Sequence, residues 1–400
     1  MGWWNSINTA CRRRCKRADA CQVPHGHVAA RGTREGMRLV SPFLTRVVYP
    51  SLSRSGYLRQ RAGSFPAVVT YHGVLPEAYR IIDAQLDGNL LGVEALRRQL
   101  RYLKVHYEVV SPEDFRGYCE GRAALPSRAV LLTCDDGLRN NLTEMLPVLE
   151  ECAVKCLFFV TGASLEEKAT MLWHEQLYLQ LLAAPDTFTL DLREVGVRDS
   201  VQGLSAKRNV WWKLVELLSV YDGNCRWQML DRVRQQLGLP DSWDAEYREN
   251  SMLARRWLTL RPFELRQLAA GGMCIGAHTT THPRLSRMPD ALAMSELSEN
   301  RRNLERVLGQ EVWALAYPFG DSGSVSAREM AFARQSGFRC AFLNEESTVG
   351  AGQNWFAWPR VHVTKEMGLA ELEAHISGFH RSLRELLSPA SLSPVVGWNA

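Results

Sequence analysis

No apolar run in this sequence reaches the roughly 18 residues that a membrane-spanning helix needs, so no span is expected. The chain opens Met1-Gly2-Trp3-Trp4-Asn5 and places its cationic cluster after any hydrophobic part. That is the wrong order for a secretory signal, so export is not expected either. Its ten cysteines include no C-x-x-C pair. Cys119, Cys134, Cys152, Cys156, Cys274 and Cys340 lie in or beside apolar stretches, where a free thiol behaves as a small hydrophobe. This usage fits a reducing compartment. Cys11, Cys15 and Cys21, ahead of His25 and His27, lack the tight spacing of a zinc module and are not read as one.

Acidic residues are scarce at the N-terminus. Residues 1–64 carry 12 Lys/Arg, among them Arg12, Arg13, Arg14, Lys16 and Arg17, against Asp19 and Glu35 alone, a local charge of +10 within a chain of +5. A basic stripe confined to a leader excludes a nucleic-acid-binding body. A solvated, disordered extension is the favoured reading, ahead of a tail that touches acidic lipid. The expected location is therefore cytoplasmic, peripheral at the inner membrane if the leader binds lipid. The remainder, at 46% hydrophobic and 23% charged for the whole chain, has ordinary globular composition. Residues 65–388 read as one domain and 389–400 as a disordered Ser/Pro tail.

Phe65–Val74, Tyr107–Val110, Ala129–Cys134, Lys155–Thr161, Met273–Ala277, Val312–Tyr317, Phe338–Leu343 and Pro359–Val363 read as short buried strands. Between them run helical patterns, including Val93–Lys104, Asp290–Leu308, Ala327–Gly337 and Leu369–Leu387. Parallel, barrel-like α/β architecture follows from that alternation. From Ser164 to about Leu260 apolar residues recur at helical spacing with no clear strand, which predicts a helical insertion. Its tryptophans are read as packing residues, and His174 as structural.

Thr133-Cys134-Asp135-Asp136-Gly137 ends a buried strand. Two adjacent carboxylates there lose solvation and repel one another, so a cation or a catalytic task is the reason to keep them. Gly276-Ala277-His278-Thr279-Thr280-Thr281-His282-Pro283 holds two histidines four apart. On one helical turn both imidazoles would face one ion, with an aspartate from another strand completing a three-ligand site. In such barrels chemistry gathers at the carboxyl ends of strands, where His72, Asp135, Asp136, His278, Tyr317 and Arg360 all fall.

TCDDG, HTTTHP and AYPFG, in this order, resemble the first three motifs of the polysaccharide deacetylase family, the NodB-like domain of carbohydrate esterase family 4. YHGV and WPRVHV resemble the subgroup found among exopolysaccharide enzymes. The resemblance implies an irregular (β/α)7 barrel carrying the 164–260 insertion. It implies removal of N-acetyl, or O-acetyl, groups from a carbohydrate polymer or its precursor, with a divalent metal. Carried over by motif, Asp135 is the general base and Asp136, His278 and His282 are the metal ligands. Zn²⁺ suits that N/O set, and Co²⁺, Ni²⁺ and Fe²⁺ are compatible with it. His72 is the expected general acid in preference to His362. Tyr317, Phe319 and Arg360 are candidate substrate contacts. Three features depart from the family pattern: Cys134 for Phe, Ala316 for the Arg that pairs with the base, and the absence of a recognisable later Asp/Trp motif in Asn344–Trp358, so no acetyl-pocket residues are carried over. Arg360 is expected to take that Arg's place. The runner-up functions are metal-dependent hydrolysis of a small amide and a catalytically degenerate glycan-binding protein.

Overall fold

The computed structural model describes residues 42–63, 65–347, 349–350 and 352–387. The strands are β1 (Ala67–Tyr71), β2 (Val74–Leu75), β3 (Leu91–Gly92), β4 (Glu108–Val110), β5 (Ala129–Cys134), β6 (Leu157–Val160), β7 (Thr187–Leu192), β8 (Val197–Gln202), β9 (Cys274–Ala277), β10 (Ala314–Ala316), β11 (Cys340–Phe342) and β12 (Val361–His362). Seven of them form the curved sheet β11-β10-β9-β6-β5-β1-β12, and β4 pairs with β5 off that path. Every pairing in this sheet is parallel. A single parallel bridge, Phe342 to Trp358, links the segment ahead of β12 back to β11. The sheet is thus an incomplete (β/α)7 barrel. Its irregularity lies at β5, one edge of which is shared by β4 (on Ala129–Leu131) and β6 (on Thr133–Cys134).

Alternation along the strands sorts two cores. Val68, Leu131, Leu157, Phe159, Ala316 and Phe342 fill the barrel with Phe115 and Trp358. Their neighbours Val69, Val130, Leu132, Cys134, Phe158 and Ile275 meet Leu96, Leu100, Leu149, Leu297 and Leu304 of the surrounding helices. All six residues of β5 are buried, as a strand covered on both faces requires. The same alternation sends Thr133 and Asp135 to the inner side and Cys134 to the helix side. Cys134 consequently packs away from Asp135, and the Asn141 amide donates to its sulfur at 3.3 Å.

Residues 164–260 have their own core, built from helices Trp173–Ala183, Gly203–Leu218 and Gly223–Gln236, with Trp211 and Trp257 buried in it. The region also contains what the periodicity reading missed, the antiparallel hairpin β7–β8. Its Leu190, Leu192, Val197 and Val201 are buried, while Arg198, Ser200 and Gln202 alternate with the inner positions of β8 and are exposed.

The expected disorder of residues 1–64 does not extend to the described part of that leader. Helical turns run from Leu44 to Arg61. Buried Tyr49 shares a 2.8 Å hydrogen bond with His380 Nδ1, and Arg59 pairs with Glu373 at 3.0 Å. Likewise, the single closing helix expected over Leu369–Leu387 is two, Leu369–Ile376 and Phe379–Leu387, parted at Gly378, whose φ is +69°. The cationic cluster at 12–17, the Cys11, Cys15, Cys21, His25 and His27 set, and the 389–400 tail lie outside the described residues. All seven described cysteines are free thiols, and no described helix is long and apolar enough to cross a membrane.

Candidate active site

β5 carries its register one residue past the strand, where Asp135 N–H donates to Tyr71 O at 3.0 Å. The chain then turns through two left-handed residues, Asp136 (φ +79°) and Gly137 (φ +74°). Aspartate tolerates that region better than most side chains, and glycine tolerates it freely. Gly137 is also required sterically, since a Cβ there would lie 2.8 Å from Ser164 Oγ and 2.9 Å from Val160 Cγ1. Gly137→Ala should therefore cost about 3 kcal/mol in urea unfolding, from strain and overpacking together. An unchanged midpoint would show that the turn relaxes freely.

His278 follows β9. Its N–H is held by Val160 O and Asn300 Oδ1, each at 3.0 Å. Its ring Nδ1 lies 2.7 Å from Ala316 O. A carbonyl only accepts, so Nδ1 carries the proton and Nε2 presents its lone pair. The segment after His278 is a loop rather than the helical turn expected from the four-residue spacing. Thr279 (φ +64°) and His282 (φ +54°) both adopt left-handed backbone, and this folds the two rings together at 5.0 Å between centroids. Glu296 holds the loop by accepting from Thr281 N–H at 2.8 Å and Thr281 Oγ1 at 2.6 Å, while Trp173 Nε1 donates to His282 O at 3.2 Å.

Asp136 Oδ1 stands 3.5 Å from His278 Nε2 and 3.6 Å from His282 Nε2. All three groups are buried, and their ligand atoms lie within 4.8 Å of one another. Burial disfavours the Asp136 carboxylate, but His278, His72 and His282 together outweigh that and drive its pKa far down. Burial also opposes charge on His278, and there Asp136 prevails and raises the pKa. At His282 burial, then His278, outweigh the pull of Asp136 and push the pKa well below the ordinary histidine value. The result is an ionised carboxylate beside a neutral imidazole with an accessible lone pair.

Asp135 faces a different partner. Arg360, at the start of the β12 segment, donates to Oδ1 at 2.7 Å and to Oδ2 at 2.6 Å, a bidentate pair with both side chains at most 2% exposed. Burial would raise the Asp135 pKa, but Arg360 outweighs it and lowers it. Arg360 Nε donates to Leu343 O at 2.6 Å, and the guanidinium lies over the Phe159 ring. Arg360 is therefore paired with Asp135, the position expected of it where residue 316 is Ala. It is not an exposed substrate contact, contrary to that part of the expectation.

A cavity of about 450 Å³ joins Asp135, Asp136, His278 and His282 to His72, His362, Tyr317 and Phe319. The His72 and His362 rings lie against each other, tilted by 43° with centroids 4.6 Å apart, and His72 Nδ1 is buried without a partner. Tyr317 is 1% exposed and its hydroxyl donates to Phe356 O at 3.1 Å, so it offers a substrate no free hydroxyl. Phe319, in left-handed backbone at φ +64°, lies against His282 at 5.3 Å and beneath the Arg284 guanidinium at 4.6 Å.

Two residues of this cavity escaped the sequence reading. His174, expected to be structural, stands 5.2 Å from the His282 ring with Nδ1 unpartnered, and burial pushes its pKa down to about 4. Glu175 is pushed up to about 7 by burial, against the pull of Arg256 at 2.9 Å, which it shares with Asp87 at 2.8 Å. The available signal was a pair of titratable residues at the start of a helix whose remaining positions are largely apolar.

A family model of polysaccharide deacetylases matches residues 122–188 and 208–341, leaving out most of the β7–β8 hairpin. No curated protein matches the sequence. Among solved structures, the Streptococcus pyogenes deacetylase PplD shares 14% identity over 78% of this chain and 97% of its own, with a TM-score of 0.49. IcaB from Ammonifex degensii shares 18% over 79% and 98%, also at 0.49. A de-N-acetylase from Aggregatibacter actinomycetemcomitans shares 14% over 78% and 99%, at 0.48. The family match spans half of the 400 residues and contains TCDDG, HTTTHP and AYPFG entire, and the chain therefore belongs to the polysaccharide deacetylase family of hydrolases.

Proposed function

We propose that this protein is a metal-dependent deacetylase acting on N-acetyl groups of a carbohydrate polymer or its precursor, with Asp136, His278 and His282 holding the cation and Asp135 serving as general base. The observation that carries this reading is the division of two adjacent aspartates in one cavity. Asp136 converges with two imidazoles, and Asp135 is paired with a buried arginine.

The donor set fits a small divalent ion. Ligands about 2.0–2.1 Å from a common tetrahedral centre stand roughly 3.4 Å apart. The observed separations of 3.5 and 3.6 Å are close to that, and long for direct hydrogen bonds. The Nδ1 proton of His278, fixed on Ala316 O, leaves the correct nitrogen for ligation. Two nitrogens and one carboxylate oxygen favour Zn²⁺, as in other three-ligand hydrolytic sites. When bound, the cation would lower the pKa of water and polarise the amide carbonyl.

The protein's own groups supply the rest. Arg360 keeps Asp135 ionised and oriented, at some expense to its basicity, and each carboxylate oxygen retains a lone pair for the proton taken from water. A backbone N–H near Phe319 would donate to the oxyanion. His72, on the cavity wall with an unpartnered Nδ1, would return a proton to the departing sugar amine. His72→Ala is expected to lower kcat by about 10²–10⁴-fold, the usual contribution of a positioned acid, with metal content unchanged. Near-normal turnover would transfer that role to His362. The reading as a whole is tested by assaying acetate release from N-acetylglucosamine oligomers alongside metal content. Metal without acetate would favour a small-amide hydrolase, and neither would favour a glycan-binding protein.

A further inference from the structure

His282 has a second exposure. Besides the reaction cavity it lines a larger one, about 800 Å³, bounded by Thr161–Ala163, Thr280–His282 and the helices of the 164–260 region. That volume lies within the range of about 300–1,000 Å³ typical of small-molecule sites. Its walls are rich in charge, yet the charges cancel. Arg234 is paired with Asp231 and Asp241, each at 2.8 Å, and Arg248 with Asp244 at 2.6 Å. Arg226 gives its guanidinium to the backbone carbonyls of Leu218, Tyr221 and Thr281. At the exposed rim Glu166 and Lys168 are opposite in sign. An anionic ligand such as a phosphate would have to break these pairs. An uncharged polar ligand would not.

Two features point to what the cavity accepts. Three tryptophans line it: Trp173, one face of which is covered by Arg226 at 4.5 Å, Trp243, and Trp227, which is 61% exposed. An exposed indole face suits the apolar face of a pyranose ring, combining apolar area with little conformational entropy to lose. The second feature is Gln180, which is 0% exposed, lines the cavity, and has neither its amide oxygen nor its amide nitrogen hydrogen-bonded. Buried amides are nearly always satisfied, so one lacking both partners calls for a group that both donates and accepts. An acetamido group does so, and so does a pair of neighbouring sugar hydroxyls.

We infer that this cavity is a second carbohydrate site, taking uncharged N-acetylated sugar residues of the same polymer whose acetyl group is removed in the neighbouring cavity. The inference rests on the carbohydrate reading above and adds a substrate-length preference to it. A polymer held at Trp227 and Gln180 is delivered past His282, the wall that the two cavities share.

The test uses N-acetylglucosamine and its oligomers up to the hexamer, with the full chain and the variants Trp227→Ala and Gln180→Leu. Calorimetric affinity for the hexamer should fall at least tenfold in each variant. The ratio of kcat/KM for hexamer to that for monomer should fall by a similar factor, mostly through KM. Gln180→Leu removes an unsatisfied buried amide, so its Tm should equal or exceed that of the wild type, which separates lost binding from lost folding. Wild-type affinity and length preference in both variants would overturn the inference while leaving the deacetylase reading intact. If the wild type released no acetate from any oligomer, the deacetylase reading would fail. Calorimetry would still decide the cavity: a tenfold loss in the variants supports it, and no loss, or no hexamer binding at all, overturns it.

Discussion

Asp136→Asn is expected to abolish stoichiometric metal binding and to lower kcat/KM for deacetylation by about 10³-fold or more, the several kcal/mol that a Lewis-acid cation contributes to a hydrolytic transition state. The amide retains the shape of the side chain but removes the only carboxylate charge in the Asp136–His278–His282 group. The fold should survive, because the left-handed turn at residue 136 suits asparagine as well as aspartate. Binding to the native state alone stabilises by mass action, about 2.7 kcal/mol at a hundredfold excess over Kd. Wild-type protein should therefore gain several degrees in Tm when Zn²⁺ is added to the stripped form, and the variant should not. A variant that still melts higher with Zn²⁺ would place the cation elsewhere.

Arg360→Ala should be the most destabilising single change at the site, because it leaves Asp135 buried with no counter-charge. Truncating one partner of such a pair costs about 3–5 kcal/mol at neutral pH. The sign of its pH dependence follows from the pair. Arg360 holds the Asp135 pKa below its ordinary 3.8. The stabilisation is thus complete above the unfolded-state value and is lost as pH falls through the folded one. Without Arg360, burial is opposed only by the nearby His278 and His72 and the Asp135 pKa rises, so the variant is penalised most near pH 7 and progressively less toward pH 4. Urea unfolding at pH 7 and pH 4 should show the gap between the two proteins narrowing on acidification. The acid limb of the pH–rate profile should also move upward, since Asp135 must be ionised to accept a proton. Parallel stability curves and coincident limbs would mean that the arginine merely fills space.

Much of the site was legible because its chemistry is written in contiguous residues. A carboxylate pair at the end of Ala129–Cys134 and two histidines after Cys274–Ala277 fall at carboxyl ends of parallel strands, and the barrel alone brings those ends together. Arg360 was legible as a partner for Asp135 because it falls at a neighbouring strand end where position 316 holds no Arg. The loop at 278–282 was misread because a four-residue spacing describes a helical turn and a tight left-handed loop equally well. Two positive φ values, anchored by Glu296 from a helix farther along the chain, decide between them, and no local pattern encodes that. The β7–β8 hairpin had a local signal, Thr-Phe-Thr-Leu-Asp-Leu alternating with period two, masked by the tryptophan-rich helices on either side. His174 and Glu175 were hidden for a further reason. Their place in the cavity depends on how the 164–260 region docks over the barrel, with Trp173 tied to His282 O and Arg256 tied to Asp87. Contacts between distant segments leave no trace in spacing.

The central claim is that one cation, held by Asp136, His278 and His282, is required for removal of acetyl groups from a carbohydrate. The most direct measurement is acetate release from N-acetylglucosamine oligomers by chelator-stripped protein titrated with Zn²⁺. The account predicts no release from the stripped form and a rise that saturates at one equivalent per chain. Acetate release undiminished by stripping, or a bound equivalent of Zn²⁺ that restores none, would contradict it.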